Sequence, residues 1–504
     1  MKAEYDIVII GSGLGGLICG AILGDAGFSV CMLEKNRQLG GSLQTFARDK
    51  VLFDSGVHYI GGLAKGQNLY QVFKYLGLMD AMKLQRMDEE VFDRIVFLED
   101  GKEYSMAQGY ERFIATLSAD FPEEEENIRN YCDKIREVCS KFPLYNLRIG
   151  DGYAEKATVL EIDAKSFIES VTSNVRLQEI LAGNNILYAG VANKTPLYVH
   201  ALVTNSYIES SWKCIDGGSQ ITKHLASRIR KNGGVIRNYS TVARIVEGEG
   251  KVSHVELADG EKVYAKQFIS NLHPQQTLEM TSSTILRNMY RKRIASLENS
   301  VSSFTIHAVL KPGTMPYFGH NFYLHEKDGV WDAISCDEEM WPHSCGVFFA
   351  ASSRTSAHAE SICLLAYMRF DEFSEWQHTF NTEAAPAGRG EAYEAFKNEK
   401  AEKLIAFAER KFPGLRNNIQ SYYTSTPLSY RDYIGSADGS MYGISKDYRD
   451  PVSTFIATRT KIPNLYLTGQ NLMLHGILGV TISALTTCGE FIDLAPLVEK
   501  IKNA

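Results

Sequence analysis

Four residues near the start of the chain have the types and spacing to hold a phosphorylated nucleotide. They are Gly11, Gly13 and Gly16, spaced G-x-G-x-x-G, and Glu34, eighteen residues further on. Gly11 allows a tight strand-to-helix turn. Gly13 lets a pyrophosphate come up to the backbone with no Cβ in the way, and Gly16 lets the following helix pack close to the strand. The first N–H groups of that helix, at Leu14 and Gly15, are free to face phosphate oxygens. Glu34 is placed to accept hydrogen bonds from ribose hydroxyls. Its charge would repel a 2′-phosphate, which disfavours NADP and leaves FAD and NAD.

The elements that must position these residues can be read around them. The apolar run 7–10 has the pattern of a short buried strand. Leu17, Ile18, Ala21, Ile22 and Leu23 form an apolar helix that stops near Gly27, and residues 29–33 form a second strand ending on Glu34. Residues 44–62 look like a hairpin. Between about 105 and 210, the segments 112–117, 128–138 and 177–181 carry apolar residues at helical spacing. Asp216, Gly217, Gly218 and Ser219 mark a turn before a helix at 221–229. Short strands follow over 235–257, closed by the turn Ala258, Asp259, Gly260. Another at 268–269 ends in Ser270, Asn271, His273 and Pro274. Strands at 303–310, 346–351 and 361–368 precede an amphipathic helix at 391–410. A buried strand at 464–468 then runs through Gly469 into a last helix. The expected fold is α/β: a discontinuous Rossmann-like domain built from 1–85, 205–300 and 415–504. A mixed α+β substrate domain with a helical part, 86–204 and 301–414, is inserted into it.

At 504 residues, 44% hydrophobic and 22% charged, the chain has the composition of a globular protein with two or three cores. A net charge of −7 without any basic block excludes nucleic acid as a partner. Nine scattered cysteines with no C-x-x-C pair point to reduced thiols, not to a disulfide framework or a metal site. No secretory leader is read at residues 1–6, and no apolar run has the length of a membrane span. The expected location is therefore the cytoplasm.

Four separated motifs give the chain a family resemblance. The first is the N-terminal fingerprint ending Leu33, Glu34, Lys35, with Gly40, Gly41 and Ser42 behind it. The second is 53–61, with Gly56, His58 and Tyr59. The third is Asp216-Gly217-Gly218-Ser219 with Thr241-Val242, and the fourth pairs 426–444 with 465–480. The chain resembles the flavoproteins built on two dinucleotide-binding-type domains, a class that includes amine oxidases, phytoene desaturases and GDP-dissociation inhibitors. It looks most like the phytoene desaturase, carotenoid isomerase and retinol saturase branch. The resemblance implies non-covalent FAD. Gly40, Gly41 and Ser42 would lie beside the pyrophosphate and ribityl chain, and Gly56 and His58 by the flavin. Val242 would offer its backbone to adenine. Gly469, Gln470, Leu478, Gly479 and Val480 would lie at the flavin end, where the last helix aims its N-terminus at the ring. The chain departs from the branch at 213–218, where a Tyr-Pro-x-Gly-Gly stretch is usual, and at His475, where a cysteine is common.

The resemblance thus implies an oxidoreductase acting on C=C or CH–CH bonds of a lipophilic polyene, with retinol-saturase-type reduction as its sharp form. Desaturation and isomerisation are the alternatives within the branch. An amine-oxidase-like enzyme and a non-catalytic prenyl-binding scaffold are the alternatives outside it. The electron donor or acceptor is left open, and no catalytic acid or base stands out. His58, Tyr430, Arg431 and His475 are the candidates for the cavity wall. A hydrocarbon substrate also invites peripheral contact with the inner face of a membrane. The apolar stretch 165–205, with Phe167, Ile168, Leu187, Tyr188 and Leu197, is the candidate surface for it, or else is buried core.

Overall fold

The computed structural model describes residues 4–150, 153–334, 338–354, 357–436 and 438–504. One seven-stranded sheet holds the N-terminal strand at its centre. The parallel strands run in the order Val235–Arg237, Val30–Leu33, Tyr5–Ile10 and Lys262–Ser270, and Leu465–Leu467 also pairs parallel with the last of these. The antiparallel strands Lys251–Leu257 and Val242–Gly248 complete it. Ile7 and Ile9 face one core and Val8 and Ile10 another, which is why this strand reads as an unbroken apolar run without alternation. Ile10 is in register with Leu33 and with Ser270, and Ser270 with Leu467, so these strands end together along one crevice. Open parallel sheets bind their ligands at such an edge.

The first helix, Leu14–Asp25, is buried along nearly its whole length. It packs against the helices Ser219–Lys231 and Gly476–Cys488, so the beginning and the end of the chain share one core.

A second seven-stranded sheet runs Ile419–Ser425, Ser302–Leu310, Ser361–Met368, Ser344–Phe348, Asn321–His325, Asp93–Phe97, Lys102–Met106. Its neighbours are antiparallel except Asn321–His325 with Asp93–Phe97. Residues 419–425 therefore hydrogen-bond within this second sheet. The hairpin expected at 44–62 is the pair Thr45–Arg48 and Val51–Asp54.

In the stretch 165–205, Ile168, Tyr188 and Leu197 are buried and Phe167 and Leu187 pack against the same core, so these five residues belong to the interior; Val175 in the same stretch is exposed. His200, in the same interior, is paired: it lies between the hydroxyls of Tyr131 at 2.6 Å and Tyr188 at 2.8 Å. Among the described residues, no helix is long and apolar enough to cross a membrane. The eight described cysteines are free and buried.

Candidate functional site

A continuous cavity follows the carboxyl edge of the first sheet and runs beneath the second. At one end it is lined by Glu34, Lys35, Ser240, Val242 and Met280. Glu34 is held hard. One carboxylate oxygen accepts from the Ser12 backbone N–H at 3.0 Å and the Ser12 hydroxyl at 2.6 Å, and the other accepts from the Asn36 N–H at 2.8 Å. Lys35 donates to the Asp432 carbonyl at 2.8 Å.

In the middle, backbone replaces side chains. A Cβ on Gly13 would stand 2.6 Å from the Asn271 amide nitrogen. One on Gly15 would stand 2.7 Å from the Asn271 amide oxygen, and one on Gly40 2.4 Å from the Thr222 hydroxyl. Gly469, at φ +103°, is as close, with its Cβ position 2.8 Å from the same Asn271 oxygen. A Cβ on Gly16 would stand 2.5 Å from the Gly11 carbonyl oxygen, so this glycine serves helix–strand packing without lining the cavity. Gly11, Gly13, Leu14, Gly15, Gly40, Gly41, Ser42, Gly469 and Gln470 do line it.

Two helix N-termini open into this space. Leu14–Asp25 begins after Gly13 and Gly476–Cys488 after His475; neither has a side-chain cap or an acid in its first turn. Their unpaired N–H groups and positive dipole ends favour anionic oxygens. Gly476, Ile477 and Val480 face the cavity. Leu478 and Gly479 do not: the Gly479 Cβ position lies 2.6 Å from the Leu474 carbonyl, and the glycine serves the turn into the helix.

The far end is an aromatic chamber formed by His58, Tyr59, Tyr207, Phe348, Tyr430 and Tyr442, with Gly56 beside His58. His58 stacks on Phe348 at 4.2 Å between ring centroids. Burial, with Lys213 nearby, pushes its ionisation down to about 4, so the ring is neutral at pH 7. Tyr59 donates to Asp93 at 2.7 Å and shares a 2.7 Å hydrogen bond with the Tyr323 hydroxyl. Asn321 and Asn184 also donate to Asp93, at 3.0 and 3.3 Å. Burial still pushes the Asp93 carboxyl up to about 6. Lys213 donates to the Phe349 carbonyl at 2.9 Å and is pushed down by burial to about 7.

Of the four candidates for the cavity wall, His58 and Tyr430 line the cavity and two do not. Arg431 turns away: it pairs with Asp432 and donates to the carbonyls of Gln377, at 2.6 Å, and Thr379. It fastens the helix Pro427–Ile434 to the segment beside it, because a guanidinium with three acceptors in reach gains more there than in an apolar chamber. His475 stacks on Tyr442 at 4.4 Å between centroids and donates to the Leu187 carbonyl at 3.2 Å, one layer behind the wall.

Asn271, Tyr59, Tyr207, Phe348 and Tyr442 were not among the sequence candidates. The position of Asn271, directly after a short parallel strand, was the available signal. The aromatic residues carry none, since their types are equally common in core.

The arrangement defines a class by its fold: a Rossmann-like nucleotide-binding body joined to a second sheet that roofs the cavity. Residues 9–76 match the NAD(P)-binding Rossmann-like domain. An oxidoreductase from Methanosarcina mazei superposes with a TM-score of 0.66 at 16% identity, covering 95% of this chain and 99% of that one. Among curated proteins, the all-trans-retinol 13,14-reductase of Homo sapiens is 27% identical across 99% of this chain and 87% of its own length. Prolycopene isomerase 2 of an Oncidium hybrid cultivar is 23% identical across 93% and 80%. The resemblance to the saturase and isomerase branch thus extends from the four motifs to nearly the whole chain.

Proposed function

We propose that the chain is an FAD-dependent oxidoreductase that reduces a C=C bond of a lipophilic, retinoid- or carotenoid-like polyene. One observation carries this reading: a single cavity joins a nucleotide cradle, with Glu34 and two open helix ends, to an aromatic chamber. The cradle fits FAD, because Gly13, Gly15 and Gly40 leave no space for a Cβ between backbone and neighbour. Glu34 and the backbone at Val242 would hold the adenosine half, and the start of Leu14–Asp25 the pyrophosphate. The start of Gly476–Cys488 would meet the pyrimidine carbonyl of the flavin. Bound FAD would supply a hydride carrier at its N5. The protein's own residues position, desolvate and protonate.

The chamber suits a hydrocarbon. Glu34, the one acid among the lining residues, lies at the opposite end, and Phe348, Leu365, Ile186 and Met441 give apolar walls. Isomerisation is the second reading, favoured by the prolycopene isomerase relatives.

The test is the visible spectrum of the purified protein before and after anaerobic dithionite, followed by addition of all-trans-retinol or a poly-cis carotene. Two flavin bands that bleach and then return with polyene support reduction. Bands that never return with any polyene defeat it, and polyene conversion without change of mass favours isomerisation.

A further inference from the structure

Reduction of a C=C bond needs a proton as well as a hydride, and one hydroxyl of the chamber, that of Tyr207, has no partner among the described residues. We infer that the phenol of Tyr207 is the proton donor to the substrate carbon; the inference rests on the reading of the site as a polyene reductase.

Two of the other chamber hydroxyls give their protons to protein acceptors: Tyr59 donates to Asp93 and Tyr442 to the Ile186 carbonyl at 2.9 Å. The Tyr430 oxygen is held by the Ser303 hydroxyl, from which it accepts at 3.1 Å. Tyr207 lines the cavity, and its hydroxyl has no hydrogen-bond partner among the described residues. Its ring is nevertheless fixed. It sits near the end of the buried helix Leu197–Glu209 and packs on the Tyr59 ring at 4.4 Å between centroids. Tyr59 in turn is anchored by Asp93 and Tyr323, so the buried Asp93 cluster sets where the Tyr207 ring lies.

The chemistry discriminates between Tyr207 and His58, the other unpartnered polar group in the chamber. His58 is neutral at pH 7, so it holds no imidazolium proton to give. Burial and the nearby Asp93 raise the Tyr207 ionisation, which keeps the phenol protonated until a base as strong as a carbanion forms beside it. A neutral phenol is a stronger acid than a neutral imidazole N–H.

The step balances. Bound reduced flavin would supply the hydride that forms a C–H bond at one end of the double bond and would itself be left oxidised. The π pair would move to the other carbon and take the Tyr207 proton, leaving a tyrosinate. The tyrosinate regains its proton from water when product leaves.

Tyr207→Phe keeps the ring and its packing. The variant should bind FAD and bleach with dithionite as the wild type does. Reoxidation of the anaerobically reduced variant by all-trans-retinol should slow by about 10²-fold or more, the usual contribution of a positioned general acid. Fluorotyrosine placed at 207 should restore the rate and shift the alkaline limb of the pH profile downward, which a purely structural ring would not do. Tyr207→Phe reoxidised within about threefold of wild type, with an unchanged solvent isotope effect, overturns the assignment while leaving polyene reduction intact. Wild-type enzyme whose bleached flavin is not reoxidised by polyene overturns the polyene reading, and the role of Tyr207 with it.

Discussion

Glu34 and Asp93 are both buried carboxylates, and what surrounds them gives them opposite roles. Glu34 accepts two backbone N–H bonds and a hydroxyl and still borders the cavity, so it is an acceptor held in place beside a ligand. Removing it with Glu34→Ala should weaken FAD binding by about 10- to 100-fold, the equivalent of one or two hydrogen bonds to a charged group. Fluorescence titration of apoprotein with FAD reads this directly, and unchanged affinity would remove Glu34 from the ribose site. Asp93 instead collects donors from Tyr59, Asn184 and Asn321 deep in the core. Asp93→Ala strands those donors and should cost about 3–5 kcal/mol of stability. The change should appear in urea unfolding of the holoprotein as a lower midpoint at unchanged slope. Glu34 was legible in the sequence because its distance from a glycine motif is fixed by a βαβ unit. Asp93 was not, because nothing local distinguishes a charged residue that starts a buried strand from one in a loop.

At the scale of elements, the sequence was legible wherever one segment is buried by its own periodicity. Helices expected at 112–117, 128–138 and 221–229 lie inside Tyr110–Asp120, Glu125–Ser140 and Ser219–Lys231. The strand expected at 303–310 is Ser302–Leu310. What escaped were the strands Asp93–Phe97 and Lys102–Met106, just ahead of a region dominated by helical patterns, and Asn321–His325. Asp93 and Arg94 break the apolar run of the first, and its burial comes from pairing with Asn321–His325, more than two hundred residues away. The last helix tests how tightly an element end is specified. Gly479 lies in the first turn of Gly476–Cys488, where a Cβ would meet the Leu474 carbonyl at 2.6 Å. Gly479→Ala must push the helix start away from the loop that carries Gln470 and Asn471, at a cost of about 1–3 kcal/mol. The expected result is a folded protein with reduced FAD content, measured as the ratio of flavin to protein absorbance. Full occupancy would show that this helix end does not position the cofactor.

The whole molecule concentrates its acid sensitivity in buried histidines. His58, His320, His325 and His475 are pushed down to about 4 by burial, and His200 and His307 to about 3. In the unfolded chain each would take a proton near pH 6.5. The stability they lend is therefore present above pH 6.5 and is lost as pH falls toward their folded values. Asp54, raised to about 7, and Asp93, raised to about 6, act the other way: their share is full below about pH 4 and is lost as pH rises through 6 to 7. Each pH unit that separates the folded from the unfolded ionisation is worth about 1.4 kcal/mol. Six histidines outweigh two carboxyls, so the acid side governs. Melting temperature should stay high near pH 7–8 and drop steeply between pH 6.5 and 4. His200 lies away from the cavity, between two tyrosine hydroxyls, and offers the clean control. His200→Gln should lower the melting temperature at pH 8, because one of those hydrogen bonds is lost. It should also flatten the decline below pH 6.5, because one fewer buried base must take up a proton on unfolding. A variant whose melting temperature falls as steeply as the wild type's would show that His200 is not held neutral in the fold.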